Sequence, residues 1–253
     1  MIVVGYYTPN PAWYETGEDL VRGTAHELQH NINFVHHAIL NDGSYEDTWI
    51  DEGMAMLSQD FAVHRMYPSV PFDVADAGWH AQQYLDGPEK YSLTAFTGQS
   101  GGTQTYNCGA CYGAEYLFQR YMYDRFGGDA YLQKMLGLSL SYENLQQASG
   151  VDPAQAISDF AVALAASGTG ATADPRFGFS SLNLRATYND QFGYPTSYAG
   201  PATLPLASGT TSHMLGSFFY LDAGSSAAGK TVSARTASDP TGVFGLRGAV
   251  VQH

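Results

Sequence analysis

Apolar and polar positions along the chain group into helix-length stretches as far as the mid-160s and into shorter, strand-like runs beyond. The opening MIVVGYYT alternates like a short strand, with Gly5 interrupting it. Thr16 can cap a helix with Asp19 three residues on as its box partner, and that helix is expected to run from about residue 17 to residue 40, where Asn41-Asp42-Gly43 stops it. Thr48 opens a second helix, TWIDEGMAMLSQDFAVHRMY, again with an acid three residues later, Asp51; it ends before Pro68. Residues 68–108 are mixed in pattern, and SGGTQTYNCG reads as loop. A strong helix is expected in YGAEYLFQRYMYDRFGG, with Tyr116, Phe118, Tyr121 and Phe126 among its apolar positions. DAYLQKMLG, SYENLQQASG and DPAQAISDFAVALAASG continue in helical style, and Asp152-Pro153 is a good helix start because proline suits the first turn.

At SGTGATADPRFG, residues 167–178, the texture changes to Gly, Thr and Ala. Beyond it LNLRATYND, HMLGSFFYLDAG, TVSARTA and GVFGLRGAVV read as strands between turns. The pattern therefore predicts an α+β chain: a mainly helical domain over residues 1–172 and a small β-rich, sandwich-like domain over 173–253. No repeat of fixed period is present.

Composition narrows the partners. Acidic residues outnumber basic ones 24 to 11, a formal net charge of -13, so no basic surface is at hand to neutralise nucleic-acid phosphates or an anionic membrane. No apolar run approaches the length that spans a bilayer. MIVVGYY is too short and lacks the basic flank of a signal peptide. Charged residues make up only 14% of the chain, and the Gly, Ser, Thr and Asn content of its later part suits a secreted, loop-rich protein. Cys108 and Cys111 are the only cysteines. One C-x-x-C cannot by itself supply the four ligands of a structural zinc, and a local disulfide is the preferred reading over two packed thiols. The sequence specifies no oligomeric state.

The candidate chemistry sits in the first long helix. His26-Glu27-Leu28-Gln29-His30 matches H-E-x-x-H. Residues four apart share a helix face, so His26 and His30 can present two imidazoles to one metal ion, while Glu27, rotated by roughly 100 degrees, can reach a water held by the metal. Three protein ligands leave a fourth position for that water, whose pKa falls to about 7, and a neighbouring carboxylate can take its proton.

The third ligand has two candidates. His36 is in register for the last histidine of H-E-x-x-H-x-x-G-x-x-H, the metzincin signature, but Asn33 stands where that pattern has glycine, and Met66 in HRMYPS is a poor imitation of the expected methionine turn. Glu52, 22 residues after His30, lies in a second helix that an antiparallel return would bring beside both histidines. Trp49-Ile50-Asp51-Glu52-Gly53-Met54-Ala55 is similar to the W-x-x-E-G-x-A of gluzincin metallopeptidases. Together AHELQHNINF, WIDEGMAML and YGAEYLFQRYMYDRFGG resemble the hyicolysin-like peptidases, over roughly residues 23–135.

The resemblance implies a zincin-like domain, a zinc ion on His26, His30 and Glu52, Glu27 as the base, and cleavage of a protein or peptide substrate. It also implies that the tyrosine opening the third helix, Tyr112, steadies the oxyanion, with Tyr106 as fallback. Asp51 and Asp60 are both available as partners for the outer nitrogen of a ligand histidine, and Gly53 would let the first helix approach closely. His36 and His37 then read as helix-end or surface histidines. Gluzincins place a sheet before the zinc helix; only about 25 residues precede His26, so the sheet is either minimal or built from segment 68–108. The G-x-M-E-N segment of gluzincin aminopeptidases is missing, which favours an endopeptidase. A non-catalytic adhesive or carbohydrate-binding module is the rival from another class; it would have no chemical need for Glu27.

Overall fold

The computed structural model describes residues 17–41, 43–100, 103–106, 108–205 and 216–222. The strand expected at 1–8, the Thr16 cap and the strands expected at 231–237 and 242–251 lie outside the described residues. Seven α-helices and a few short strand pairs make up the regular structure among those described.

Helix α1 spans Gly17–Asn33 and continues as a π-helical segment, Phe34–Ile39, instead of running as one α-helix to residue 40. Helix α2 spans Thr48–Met66. Asp47, not Thr48, stands at its N-cap, and Asp51 makes no capping bond; its carboxylate is used elsewhere, as described below. The two helices run antiparallel. Ser58 Oγ donates to Ala25 O at one point of contact (3.2 Å), and His30 meets Asp51 at another (2.8 Å).

Helix α3 (Ala77–Leu85) leads into a three-stranded antiparallel sheet, β1 (Tyr91–Ser92), β2 (Thr97–Ser100) and β3 (Thr103–Tyr106). Ser100 and Thr103–Tyr106 of SGGTQTYNCG are thus strand rather than loop, with Ser100 paired to Thr103 and Thr97 to Tyr106. The Gly101-Gly102 pair between the strands is a turn signal that the polar, glycine-rich composition concealed.

Helix α4 (Gly109–Arg125) begins three residues before the expected Tyr112. Cys108 is its N-cap, bonded to Cys111 in the expected local disulfide. From Gly113 to Met122 every residue is buried, so α4 has no solvent face and forms the axis of the core. Two glycines set its neighbours. A Cβ on Gly53 would lie 2.8 Å from Glu115 O, so this glycine brings α2 close to α4 and not, as expected, to α1. A Cβ on Gly113 would lie 2.0 Å from His80 O, which fixes α3 against α4. Since that obstacle is backbone, Gly113→Ala should force the helices apart and cost at or above the top of the about 1–3 kcal/mol typical of overpacking, read as a lowered urea midpoint.

Helices α5 (Asp129–Met135), α6 (Ser141–Ser149) and α7 (Pro153–Ala166) close the far side. Asp152 caps α7, accepting from Ala154 N (2.7 Å) and Gln155 N (3.3 Å). Beyond position 173 the described strands are short: β4 (Thr187–Asn189) pairs antiparallel with β5 (Pro195–Ser197), and β6 (Thr203–Pro205) pairs parallel with β7 (Tyr220–Asp222). Leu182, Leu184 and Tyr198 enter the same core as α3 and α4, and the Phe179 ring meets Tyr121 (5.9 Å).

A buried polar chain ties the helices that carry the motif. Arg22 on α1 makes a bidentate pair with Asp73 (3.0 and 2.9 Å). Asp73 N donates to Asp60 Oδ1 on α2 (2.7 Å), and Asp60 Oδ2 accepts from Tyr116 Oη (2.8 Å) and from Arg120 on α4. The chain links α1, α2 and α4 one turn before His26. No helix among the described residues is long and apolar enough to cross a membrane.

Candidate metal centre

The helix pair α1–α2 brings His26, His30 and Glu52 together, each half-buried, with their ligand atoms all within 4.8 Å of one another. Glu52 Oε2 lies 3.3 Å from His26 Nε2 and 3.4 Å from His30 Nε2. That oxygen is buried, and neither contact has hydrogen-bond geometry. Tetrahedral bonds of about 2.0–2.1 Å put neighbouring ligand atoms roughly 3.3–3.4 Å apart, the separation at which Glu52 Oε2 stands from each of the two histidine nitrogens. Two imidazole nitrogens and one carboxylate oxygen form a donor set that suits zinc.

Asp51 orients the set. His30 Nδ1 donates to Asp51 Oδ2 (2.8 Å), which leaves Nε2 to face Glu52. Asn33 Nδ2 donates to the other oxygen of Asp51, and Gln29 Nε2 donates to Asn33 Oδ1 (3.1 Å). Of the two acids offered by the sequence, Asp51 is therefore the outer partner; Asp60 belongs to the buried chain with Arg120. Burial alone would lower the His30 imidazole, but the hydrogen bond and charge of Asp51, with the charge of Glu52, push it up to about 10. Burial alone would raise Glu52, but the contacts and charges of His26 and His30 hold it down to about 2. A divalent cation competes with the proton that this arrangement otherwise keeps. If the group holds a metal ion, Asp51→Asn should weaken its binding about 10–100-fold, measured by competition with a chelating dye, because the remaining amide orients His30 without supplying charge.

Asn33 explains why His36 is not part of the group. Its backbone is right-handed helical (φ -58°, ψ -46°), so the sharp turn that would return His36 does not occur, and the chain passes straight into the π-helical segment. His36 is half-buried there. His37 corrects the expectation of a surface histidine: it is 1% exposed.

Glu27 is exposed beside the group on α1. Tyr112, on the first turn of α4, has its ring 6.3 Å from that of His26. Burial, then the charges of Glu52, Glu115 and Glu27, push its phenol up to about 12, which keeps it a hydrogen-bond donor and places Glu27 within electrostatic reach of it. Tyr106 contributes its backbone to β3, but its side chain lies outside the described residues. Behind Gly53, Glu115 is fully buried with both carboxyl oxygens unpartnered. Burial and then the Glu52 charge push it far above the ordinary carboxylate range.

Three contributors had no readable sequence signal. Asn33 scored only as a failed glycine. His80 was one of eight histidines, and it lies 5.7 Å ring to ring from Tyr112. Phe96, 4.9 Å from Tyr112, stood in a segment of mixed pattern. No protein-family model matches the chain, and no curated protein is detectably similar to it.

Proposed function

We propose that the protein is a zinc-dependent peptidase, an endopeptidase of the gluzincin kind that acts outside the cell on protein or peptide substrates. The observation that carries this reading is that His26 Nε2 and His30 Nε2 lie 3.3 and 3.4 Å from an otherwise unpartnered Glu52 Oε2, with the three ligand atoms all within 4.8 Å of one another. Exposed Glu27 beside them and Tyr112 across from them add an acid–base group and a donor. A zinc ion in this set supplies a lowered water pKa and a polarised carbonyl. Glu27 takes the proton of the attacking water and passes it to the leaving amine. Tyr112 donates to the developing oxyanion and, held protonated to about pH 12, does so throughout the working range. The Cys108–Cys111 disulfide supports an exported protein.

The test is a metal assay paired with a chelation assay. The purified protein should hold one equivalent of zinc and cleave casein. Cleavage should stop with 1,10-phenanthroline and return on adding zinc. A protein that takes up no zinc, or that holds it and cleaves neither casein nor a peptide library, would sink the proposal.

A further inference from the structure

We propose that Phe96 and His80 are positioning residues that clamp the Tyr112 ring and so fix its place beside His26 of the candidate metal group. The inference rests on the reading of Tyr112 as the oxyanion donor, but the clamp is visible without it. Tyr112 is half-buried on the first turn of a helix, where a side chain with two free torsions would swing. A donor that swings loses its value, because oxyanion stabilisation needs a hydroxyl placed to within about 0.5 Å.

Two rings arriving from other parts of the chain hold it. Phe96 meets Tyr112 edge to face, at 4.9 Å and 86°, and His80 lies tilted against it at 5.7 Å and 46°. Each is anchored independently. His80 Nδ1 donates to Gly109 O at 2.9 Å, and the His80 carbonyl packs where Gly113 has no Cβ. The clamp is therefore fixed to α4 on both sides of Tyr112, three residues before it and one after. Phe96 is 6% exposed and holds a left-handed backbone, φ +48°. For a bulky residue that conformation is strained and persists only where the surroundings enforce it. Here it turns the ring of a buried residue inward onto Tyr112 from the β1–β2 turn, a place where glycine or asparagine would remove the strain but leave no ring. Neither residue belongs to the His26–His30–Glu52 group, so the clamp can be altered with the metal in place.

The experiment uses the full chain with zinc bound and follows two variants by two readouts. Phe96→Leu removes the ring and keeps apolar bulk. His80→Gln removes the other ring and keeps a donor for Gly109 O. Phe96→Tyr is the conservative control. The first readout is kcat and KM on a peptide; the second is nitration of Tyr112 by tetranitromethane, resolved by peptide mass mapping. Expected for Phe96→Leu and His80→Gln are a kcat lowered about tenfold or more, an unchanged KM and zinc content, and Tyr112 nitrated several-fold faster; Phe96→Tyr should match wild type in both. Unchanged nitration in both variants overturns the clamp. So does a loss of kcat that follows the thermal midpoint and is shared by Phe96→Tyr, since that marks a structural role only. Faster nitration with kcat unmoved, in a protein where Tyr112→Phe is also silent, supports the clamp and removes Tyr112 from the chemistry.

Discussion

Glu27→Gln is expected to lower kcat by about 10²–10⁴-fold while leaving one zinc bound per chain. The residue is exposed on α1, beside but not within the group of three converging ligand atoms, so its amide analogue should leave metal affinity nearly unchanged. Glutamine has the same length and keeps a carbonyl oxygen that can orient a water, but it cannot accept the proton. KM should change little, because the substrate makes its contacts with or without that proton transfer. Zinc analysis and initial rates on one peptide, from the same preparation, decide the matter. A wild-type rate in the variant removes Glu27 from the mechanism, and loss of zinc would place it among the ligands.

Asp60→Ala should cost about 3–5 kcal/mol of folding stability, the largest effect expected of any single side chain outside the metal group. Asp60 is 0% exposed and accepts from three donors: Asp73 N, Tyr116 Oη and Arg120. Burial pushes its carboxyl up, against the opposing pull of the Arg120 charge, the Asp73 amide and the Tyr116 hydroxyl. Alanine would leave these donors facing a cavity, and Arg120, itself 6% exposed, would keep Asp124 at 3.7 Å, Ser181 at 2.7 Å and the face of the Phe61 ring at 5.7 Å. Asp60→Asn, which retains one acceptor oxygen, should cost less. Urea unfolding of the three proteins measures both differences. A cost for alanine below about 1 kcal/mol, the ceiling for exposed ion pairs, would mean that the chain of buried groups is solvated on demand. Because Asp73 also holds Arg22, one turn before His26, the alanine variant should in addition bind zinc more weakly.

Part of the candidate metal group was legible from spacing and part from resemblance. Positions 26 and 30 share a helix face by spacing alone, whereas Glu52 was singled out by the likeness of WIDEGMA to the gluzincin pattern, an antiparallel return then being enough to bring it beside both histidines. Asn33 was read correctly as a departure from glycine, but its positive role, holding Asp51, depends on a hydrogen bond across two helices that no spacing encodes. The π-helical segment that follows was hidden for a similar reason, since FVHHAI has ordinary helix composition and only packing selects its wider turn. The β2–β3 hairpin was missed because polar and small residues mask alternation when the strand is short. The aromatic clamp is furthest from legibility: a left-handed phenylalanine breaks the rule by which turns are recognised. Packing of Leu182 and Tyr198 into the helical core likewise follows from shape, whereas the change of composition near residue 173 reads only as a connector and a domain boundary.

All three candidate ligands come from one helical hairpin, between positions 26 and 52, and are joined by contacts local in the chain. Local contacts close early in folding because little loop entropy opposes them. On the proposed reading, a partly folded chain could take up a metal ion at His26, His30 and Glu52 before the core exists, and that ion would hold α1 to α2 while the rest assembles. Tyr112 arrives from a helix that cannot be placed until α2, α3 and the hairpin surround it. If the protein is the proposed peptidase, metal uptake and competence for chemistry would be separable in time, and a nascent chain carrying its ion would stay inactive until α4 is enclosed.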